Sequence, residues 1–268
     1  MRLIAERSTL SGKVSIPSSK SNTIRAVVIA SLADGISRIA RPLDSADTQS
    51  CLEAYQAVGA QVEVGDDEWE IKGTDSQPQT PGYHVNVGNS GTTLYFFLGS
   101  ATLAEGPVTI TGDEQTLRRS AGPLVQSLND LGANVEAQGV DGCAPFVVRG
   151  RLQGGKTSIA CPTSQYLSSL LLNCPLAEND TVIEVTSLNE HPYIEMTLDW
   201  LNRADIDYAR EGMKWFEVAG GQTYEPFEEM IGADFSSAAF FAGAAAITGS
   251  DVVLQGLDMN DSQGDKAI

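Results

Sequence analysis

Residues 89–106 read NSGTTLYFFLGSATLAEG, and the same design returns three more times along the chain. Residues 21–35 read SNTIRAVVIASLADG, residues 163–180 TSQYLSSLLLNCPLAEND, and residues 234–249 DFSSAAFFAGAAAITG. Each opens on small polar residues, runs apolar for the length of a helix, and stops at Gly or an Asn/Asp cluster. Small polar side chains cap the free N–H groups of a first turn, and Gly or Asn ends the last one, so each stretch predicts a helix. A short β-branched run follows every stop (ISRIA, PVTITG, TVIEVT and DVVLQG), and each predicts a strand.

A second, amphipathic helix comes next in each unit. CLEAYQAVGAQVE (51–63) and PLVQSLNDLGANVE (123–136) share the ending Gly-Ala-x-Val-Glu, and MTLDWLNRADIDY (196–208) is a weaker third copy. A strand or hairpin then leads back: EWEIKG, PFVVRG and WFEVAG. The equivalent turns at Gly35, Gly106, Asn179 and Gly249 lie about seventy residues apart. The chain is therefore an α/β (α+β) repeat whose units read strand, helix, strand, helix, strand. Such a unit leaves an apolar face that only neighbours of its own kind can cover. Three full units, from about residue 19 to 231, are expected to close into one domain. The apolar helices VVIASLA, YFFLGSATLA, YLSSLLL and AAFFAGAAAI are expected to be buried.

The fourth unit is cut. MNDSQGDKAI (259–268) parallels PLDSADTQSCL (42–52), but the sequence stops where the second helix would begin. It reads as a fragment of a longer protein or one piece of a split one. The other reading is a short protein that closes its fourth unit by dimerisation.

The 268 residues carry a formal net charge of −18, with 42% hydrophobic and 7% aromatic residues. An acidic balance of this size, with a sequence pI near 4.3, speaks against nucleic-acid and anionic-membrane partners. Cys51, Cys143, Cys161 and Cys174 show no CxxC spacing, and His84 and His191 supply no zinc pattern with them. Reduced cytosolic thiols and no metal are the reading, with a cytoplasmic location. No stretch is long and apolar enough for a membrane helix.

Chemistry gathers at the helix starts. Lys20-Ser21-Asn22, Asn89-Ser90-Gly91-Thr92, Thr163-Ser164-Gln165 and Asp234-Phe235-Ser236-Ser237 each offer free N–H groups at the positive end of a helix dipole, which favours an anion. Gly91 lets a ligand approach the backbone. Pseudo-threefold packing turns equivalent helix ends to one side, so several would face one cleft. Lys20 and Arg25 add cations beside the first of them. Arg118-Arg119 stand in a loop before another helix, a pair suited to phosphate or carboxylate. Taken singly, each start is more often an ordinary cap, and the arginine pair more often a solvated surface feature. No GxxxxGK[ST] or GxSxG occurs.

These stretches resemble, in order, motifs of the 5-enolpyruvylshikimate-3-phosphate synthase family. PSSKSNTIRA (17–26) resembles PGSKSxxxRA, VGNSGTT (87–93) resembles LGNAGTT, and TGDEQTLRRSAGPLVQSLNDLGA (111–133) resembles TGDxxxxxRPxxxLxxxLxxLGA. TSQYLSSLLLNCPLA (163–177) is similar to SSQFLSALLxAAPLA. HPYIEMTLDWL (191–201), DFSSAAFFAGAAAI and SQGDKAI (262–268) match later motifs, so the likeness runs from about residue 12 to the end.

The resemblance implies an inside-out α/β fold of two lobes, each of three βαβαββ units with pseudo-threefold symmetry. Residues 19–231 would be the complete shikimate-phosphate-binding lobe, and 1–18 with 232–268 a partial second lobe. It implies transfer of the enolpyruvyl group of phosphoenolpyruvate to the 5-hydroxyl of shikimate 3-phosphate, with release of phosphate and without cofactor or metal. Lys20 would be catalytic and sit between the substrates. Ser21, Arg25, Thr163, Ser164, Gln165 and Tyr193 would join it in holding shikimate 3-phosphate. Gly91, Arg119, Gln165 and Lys20 would hold phosphoenolpyruvate, with Asn89 and Asp234 as secondary candidates. The family's acid–base aspartate and glutamate and its second lysine fall in later units, so the chain alone is expected to bind substrate without turnover. The remaining C-terminal portion, or a complementary chain, would be its partner. The full-length protein would be monomeric.

The match departs from the family at several places. Ser18 replaces a glycine, Tyr95 an arginine, Phe96 a proline and His191 a lysine. Tyr95 and Phe96 fall on the edge given to phosphoenolpyruvate and to glyphosate, the family's inhibitor. Glu190 replaces a serine near the substrate phosphate, where another negative charge is unwelcome. The sister enolpyruvyl transferase acting on UDP-N-acetylglucosamine remains an alternative, although the cysteine of its loop is missing between Gln115 and Arg119. So does a non-catalytic anion-binding fragment of the same fold. RNA 3′-phosphate cyclase is disfavoured by the acidity.

Overall fold

A computed structural model describes Ile4 and residues 8–268. Residues 1–3 and 5–7 of the expected second-lobe segment lie outside the described residues. Strand β1 (Ser11–Ser15) leads into the first unit: α1 (Lys20–Leu32), β2 (Ile36–Ala40), α2 (Ala46–Ala57), β3 (Gln61–Val64) and β4 (Glu68–Lys72). The second unit holds β5 (Val85–Asn86), α3 (Gly91–Ser100), β6 (Val108–Thr111), α4 (Gly122–Asp130), β7 (Asn134–Ala137) and β8 (Phe146–Arg149). The third holds β9 (Gly155–Cys161), α5 (Ser164–Asn173), β10 (Thr181–Leu188), α6 (His191–Arg203), β11 (Tyr208–Glu211) and β12 (Trp215–Val218). β13 (Glu228–Met230), α7 (Phe235–Thr248) and β14 (Asp251–Gln255) follow.

Each unit builds one four-stranded sheet, in the orders β13-β2-β4-β3, β5-β6-β8-β7 and β9-β10-β12-β11. In all three the first pair is parallel and the rest are antiparallel; in the second and third sheets a helix crosses between the strands of the parallel pair. The fourth strand arises because the return is a hairpin, β3–β4 in the first unit. The first sheet borrows its opening strand from far along the chain. Glu228 lies opposite Arg38 and Met230 opposite Ala40, which ties the end of the third unit to the start of the first.

The helices α1, α3 and α5 are buried along nearly their whole length, as their apolar composition predicts. One large cluster joins them to Trp69, Phe146 and Phe216 from the three sheets, and each such side chain contributes about 1.5–3 kcal/mol when removed from water. A polar thread fixes the register of the inner helices. The Tyr55 hydroxyl and Ser100 Oγ are 2.7 Å apart, and Ser100 Oγ donates to Asn173 Oδ1 at 2.8 Å. Buried polar groups satisfied in this way specify one arrangement.

The expected burial of AAFFAGAAAI does not hold. Phe240 and Ile247 of α7 are 81% and 86% exposed. β1 and β14 pair in parallel as a two-stranded sheet, and a small second cluster of Ile16, Ala233 and Ala238 secures only one side of α7. An inner helix of this repeat is covered by its neighbouring units. Among the described residues the fourth unit has no neighbour of its own kind. Among the described residues no helix is long and apolar enough to cross a membrane.

Candidate active site

The starts of α1, α3, α5 and α7 are all capped by their own side chains. Ser19 Oγ accepts from Asn22 N, Ser90 Oγ from Thr93 N, Thr163 Oγ1 from Gln165 N, and Asp234 Oδ2 from Ser237 N. These ends converge on one cleft of about 600 Å³. Its walls carry Lys20, Ser21 and Arg25 from α1, Thr92 and Phe96 from α3, and Thr163, Ser164 and Gln165 from α5. Glu190 and Tyr193 come from the start of α6, and Asp234, Ser236 and Ser237 from that of α7.

Arg25 is the most constrained of these groups. It is 2% exposed, and its guanidinium donates to Ser21 O, Tyr193 O and Thr197 Oγ1, each at 2.9 Å. Ser168 Oγ lies at 3.5 Å and the Phe96 ring centre at 5.3 Å. Burial lowers the guanidinium to about 10, partly offset by Tyr193, and it stays charged at neutral pH. Among the described residues Arg25 forms no ion pair with a carboxylate, although other arginines such as Arg38 and Arg203 do. A desolvated cation without a counter-charge, on the wall of a cleft, favours an anion there.

Lys20 is placed differently. Its side chain is 45% exposed and Nζ lies 3.0 Å from Asp47 Oδ2. Asp47 was not among the residues expected from the sequence. It stands at the start of α2, and no spacing in the sequence links it to Lys20. Gln165 Nε2 donates to Thr92 Oγ1 at 2.7 Å, which joins the α5 and α3 starts.

Gly91, Arg119 and Asn89 do not line this cleft; they gather beside it at the start of α3. The Arg119 guanidinium lies over Gly91 so closely that a Cβ there would come within 2.2 Å of Nη1, and Nη2 reaches Asn89 Oδ1 at 3.5 Å. Asp113 holds the loop that carries Arg119 by accepting from Gln115 N and Thr116 N at 3.0 and 2.9 Å. The Thr116 backbone bond, its largest influence, holds that carboxyl below its usual range. Tyr95, at the family's arginine position, turns toward this loop. Its hydroxyl donates to Ser120 O at 3.1 Å, as Tyr166 does at 2.6 Å, and the two rings stand edge to face 4.9 Å apart. Phe96, at the proline position, lines the cleft instead.

Glu190 is the group that the sequence argued against and the structure brings in. Its Oε2 accepts from Ser164 Oγ at 3.0 Å, Ser164 N at 3.2 Å and Thr163 Oγ1 at 3.3 Å, over the start of α5.

Comparison with known proteins gives the family and the fold. The family model for EPSP synthase (3-phosphoshikimate 1-carboxyvinyltransferase) matches residues 4–268. The chain is 48% identical over 268 residues to a 3-phosphoshikimate 1-carboxyvinyltransferase of Acetivibrio thermocellus, covering 100% of this chain and 63% of the relative. It is 46% identical to the protein of that name from Ruminiclostridium cellulolyticum, covering 100% and 64%. An EPSP synthase structure from Acinetobacter baumannii superposes with a TM-score of 0.82 at 26% identity, over 94% of this chain and 57% of that one. The chain thus spans less than two thirds of the length of these relatives. The repeated sheets, the converging helix starts and the match from residue 4 to residue 268 agree: this chain belongs to the EPSP synthase family.

Proposed function

We propose that the protein to which this chain contributes transfers the enolpyruvyl group of phosphoenolpyruvate to the 5-hydroxyl of shikimate 3-phosphate, releasing phosphate. The observation that carries the reading is Arg25, buried and charged on the cleft wall and without a carboxylate partner among the described residues. Residues 19–231 would form the lobe that binds shikimate 3-phosphate, and residues 8–18 with 232–268 the beginning of a second lobe. Ser21, Arg25, Thr163, Ser164, Gln165 and Tyr193 would hold shikimate 3-phosphate. Gly91, Arg119 and Gln165 would hold phosphoenolpyruvate, and Asn89 and Asp234 are further candidates for the site.

Lys20 would stand between the two substrates, leaving Asp47 as the anions arrive. Two polyanions repel each other in water. Helix ends and cations fixed beforehand in a cleft offset that repulsion and hold the hydroxyl near the enol carbon. The match along residues 4–268 and the named relatives support this member over the UDP-N-acetylglucosamine enzyme. The chain alone would bind shikimate 3-phosphate without turnover, since the resemblance puts the acid–base carboxylates in later units.

Calorimetric titration of shikimate 3-phosphate into the chain tests this. Saturable binding that is lost in Lys20→Ala is expected. A folded chain that takes up no heat, or a Lys20→Ala variant that binds as well as the parent, would contradict it.

A further inference from the structure

We infer that Glu190 is a built-in competitor for the anion at the start of α5: its carboxylate occupies the place of a ligand phosphate oxygen and must swing out before that phosphate can seat. The inference rests on the proposed function, in which Thr163 and Ser164 hold the phosphate of shikimate 3-phosphate. Three donors, one backbone N–H and two hydroxyls, converge on a single oxygen, Glu190 Oε2, at 3.0–3.3 Å. That is how a helix start receives one oxygen of a phosphate. Ser164 is 1% exposed and spends its hydroxyl on this contact.

The backbone around Glu190 aims it. Asn189 N donates to Cys161 O at 3.1 Å and Asn189 Nδ2 to Pro162 O at 3.2 Å, pinning the preceding residue against the end of β9. Glu190 itself takes a left-handed conformation, with φ 60° and ψ 46°, at the cap of α6. A glutamate adopts that region only at a cost, and here it directs the side chain back across the cleft to α5. The residue is exposed on its outer side, so the side chain can leave for solvent without opening the core. A dianion entering the cleft meets a like charge already bonded to its donors. Its apparent affinity is then reduced by the fraction of molecules in which Glu190 is seated.

A carboxylate that merely staples α6 to α5 would give the opposite sign on removal. Inorganic phosphate is titrated into the parent chain, Glu190→Gln and Glu190→Asn, following the backbone amide signals of Ser164 and Gln165 by 15N NMR. Asn tolerates the left-handed backbone and is too short to reach Ser164, so it stands in should the Gln variant fold poorly. Loss of the competing charge is expected to lower the half-saturating phosphate concentration by about ten-fold. Equal or weaker response in the variants, or no response in any of the three proteins, overturns the inference. Shikimate 3-phosphate is titrated in parallel. A parent that binds it with the variants no tighter sinks the competitor and leaves the function standing. A parent that does not bind it, with variants that take phosphate more tightly, does the reverse.

Discussion

Replacing Arg25 by Met separates a ligand-binding arginine from a structural one. The lowering of the guanidinium to about 10 corresponds to about 3 kcal/mol of unfavourable charge burial in the folded chain. Met is unbranched, of similar length and a good helix former, and it carries no charge to desolvate. The substitution also removes the hydrogen bonds to Ser21 O, Tyr193 O, Thr197 Oγ1 and Ser168 Oγ. Few of these acceptors are orphaned. Ser21 O belongs to the first turn of α1, and the Thr197 hydroxyl keeps an acceptor in either Tyr193 O at 3.1 Å or Ser168 Oγ at 2.8 Å. The relief of charge burial is about 3 kcal/mol, and the three bonds at 2.9 Å, at about 0.5–1.5 kcal/mol each once their acceptors re-pair, come to about 1.5–4.5 kcal/mol. Folding stability should therefore stay within about 2 kcal/mol of the parent, a melting-temperature change of less than about 8 °C. Anion binding should not survive so well. Losing a desolvated charged contact costs about 2–5 kcal/mol, or at least about 30-fold in affinity. Thermal unfolding and shikimate 3-phosphate calorimetry on the same sample read both quantities. A drop in melting temperature beyond about 15 °C would make Arg25 a structural residue. Undiminished binding would remove it from the site.

Gly91→Ala tests the close approach beside the cleft. The new Cβ would meet Arg119 Nη1 at 2.2 Å and Cζ at 3.1 Å. Because Arg119 is a long side chain and only partly buried, it should swing away at a cost to stability below about 1 kcal/mol. Its Nε–H NMR signal and the Asn89 side-chain amide should both move, and unchanged signals would refute the contact. The thiols offer a pH test. Burial pushes Cys51, Cys161 and Cys174 up to about 12, so a thiol reagent at pH 8 should leave these three intact in the native chain and modify all four cysteines after denaturation. Unfolded thiols release their protons near pH 8.5, so between about pH 9 and 12 the folded state holds more protons. Stability should fall as pH rises through that window. Rapid native labelling at these three positions, or flat stability across the window, would contradict their burial.

The repeat was legible because local rules write it. A capped apolar run, a β-branched strand and a Gly stop recur about every seventy residues, and each feature acts within a few residues of itself. The motifs at Lys20, Gly91, Thr163 and Asp234 were readable for the same reason, since a helix start concentrates its donors in one short stretch. Where those starts point depends on pairings between distant segments. β13 completes the sheet of the first unit by pairing with β2, about 190 residues earlier, and nothing local to either strand announces that. Asp47 meets Lys20, and Thr197 and Tyr193 meet Arg25, only because packing lays α2 and α6 beside α1. Composition misplaced α7, because an apolar run is buried only if another element covers it, and among the described residues none covers Phe240 and Ile247. Charge alone argued Glu190 away from the phosphate site. The left-handed backbone at that residue turns its carboxylate onto the start of α5. The sequence by itself determined the elements and the kinds of donor they carry. Tertiary structure decided which donors share a cleft and which carboxylate already occupies it, because those outcomes depend on contacts between residues far apart in the chain.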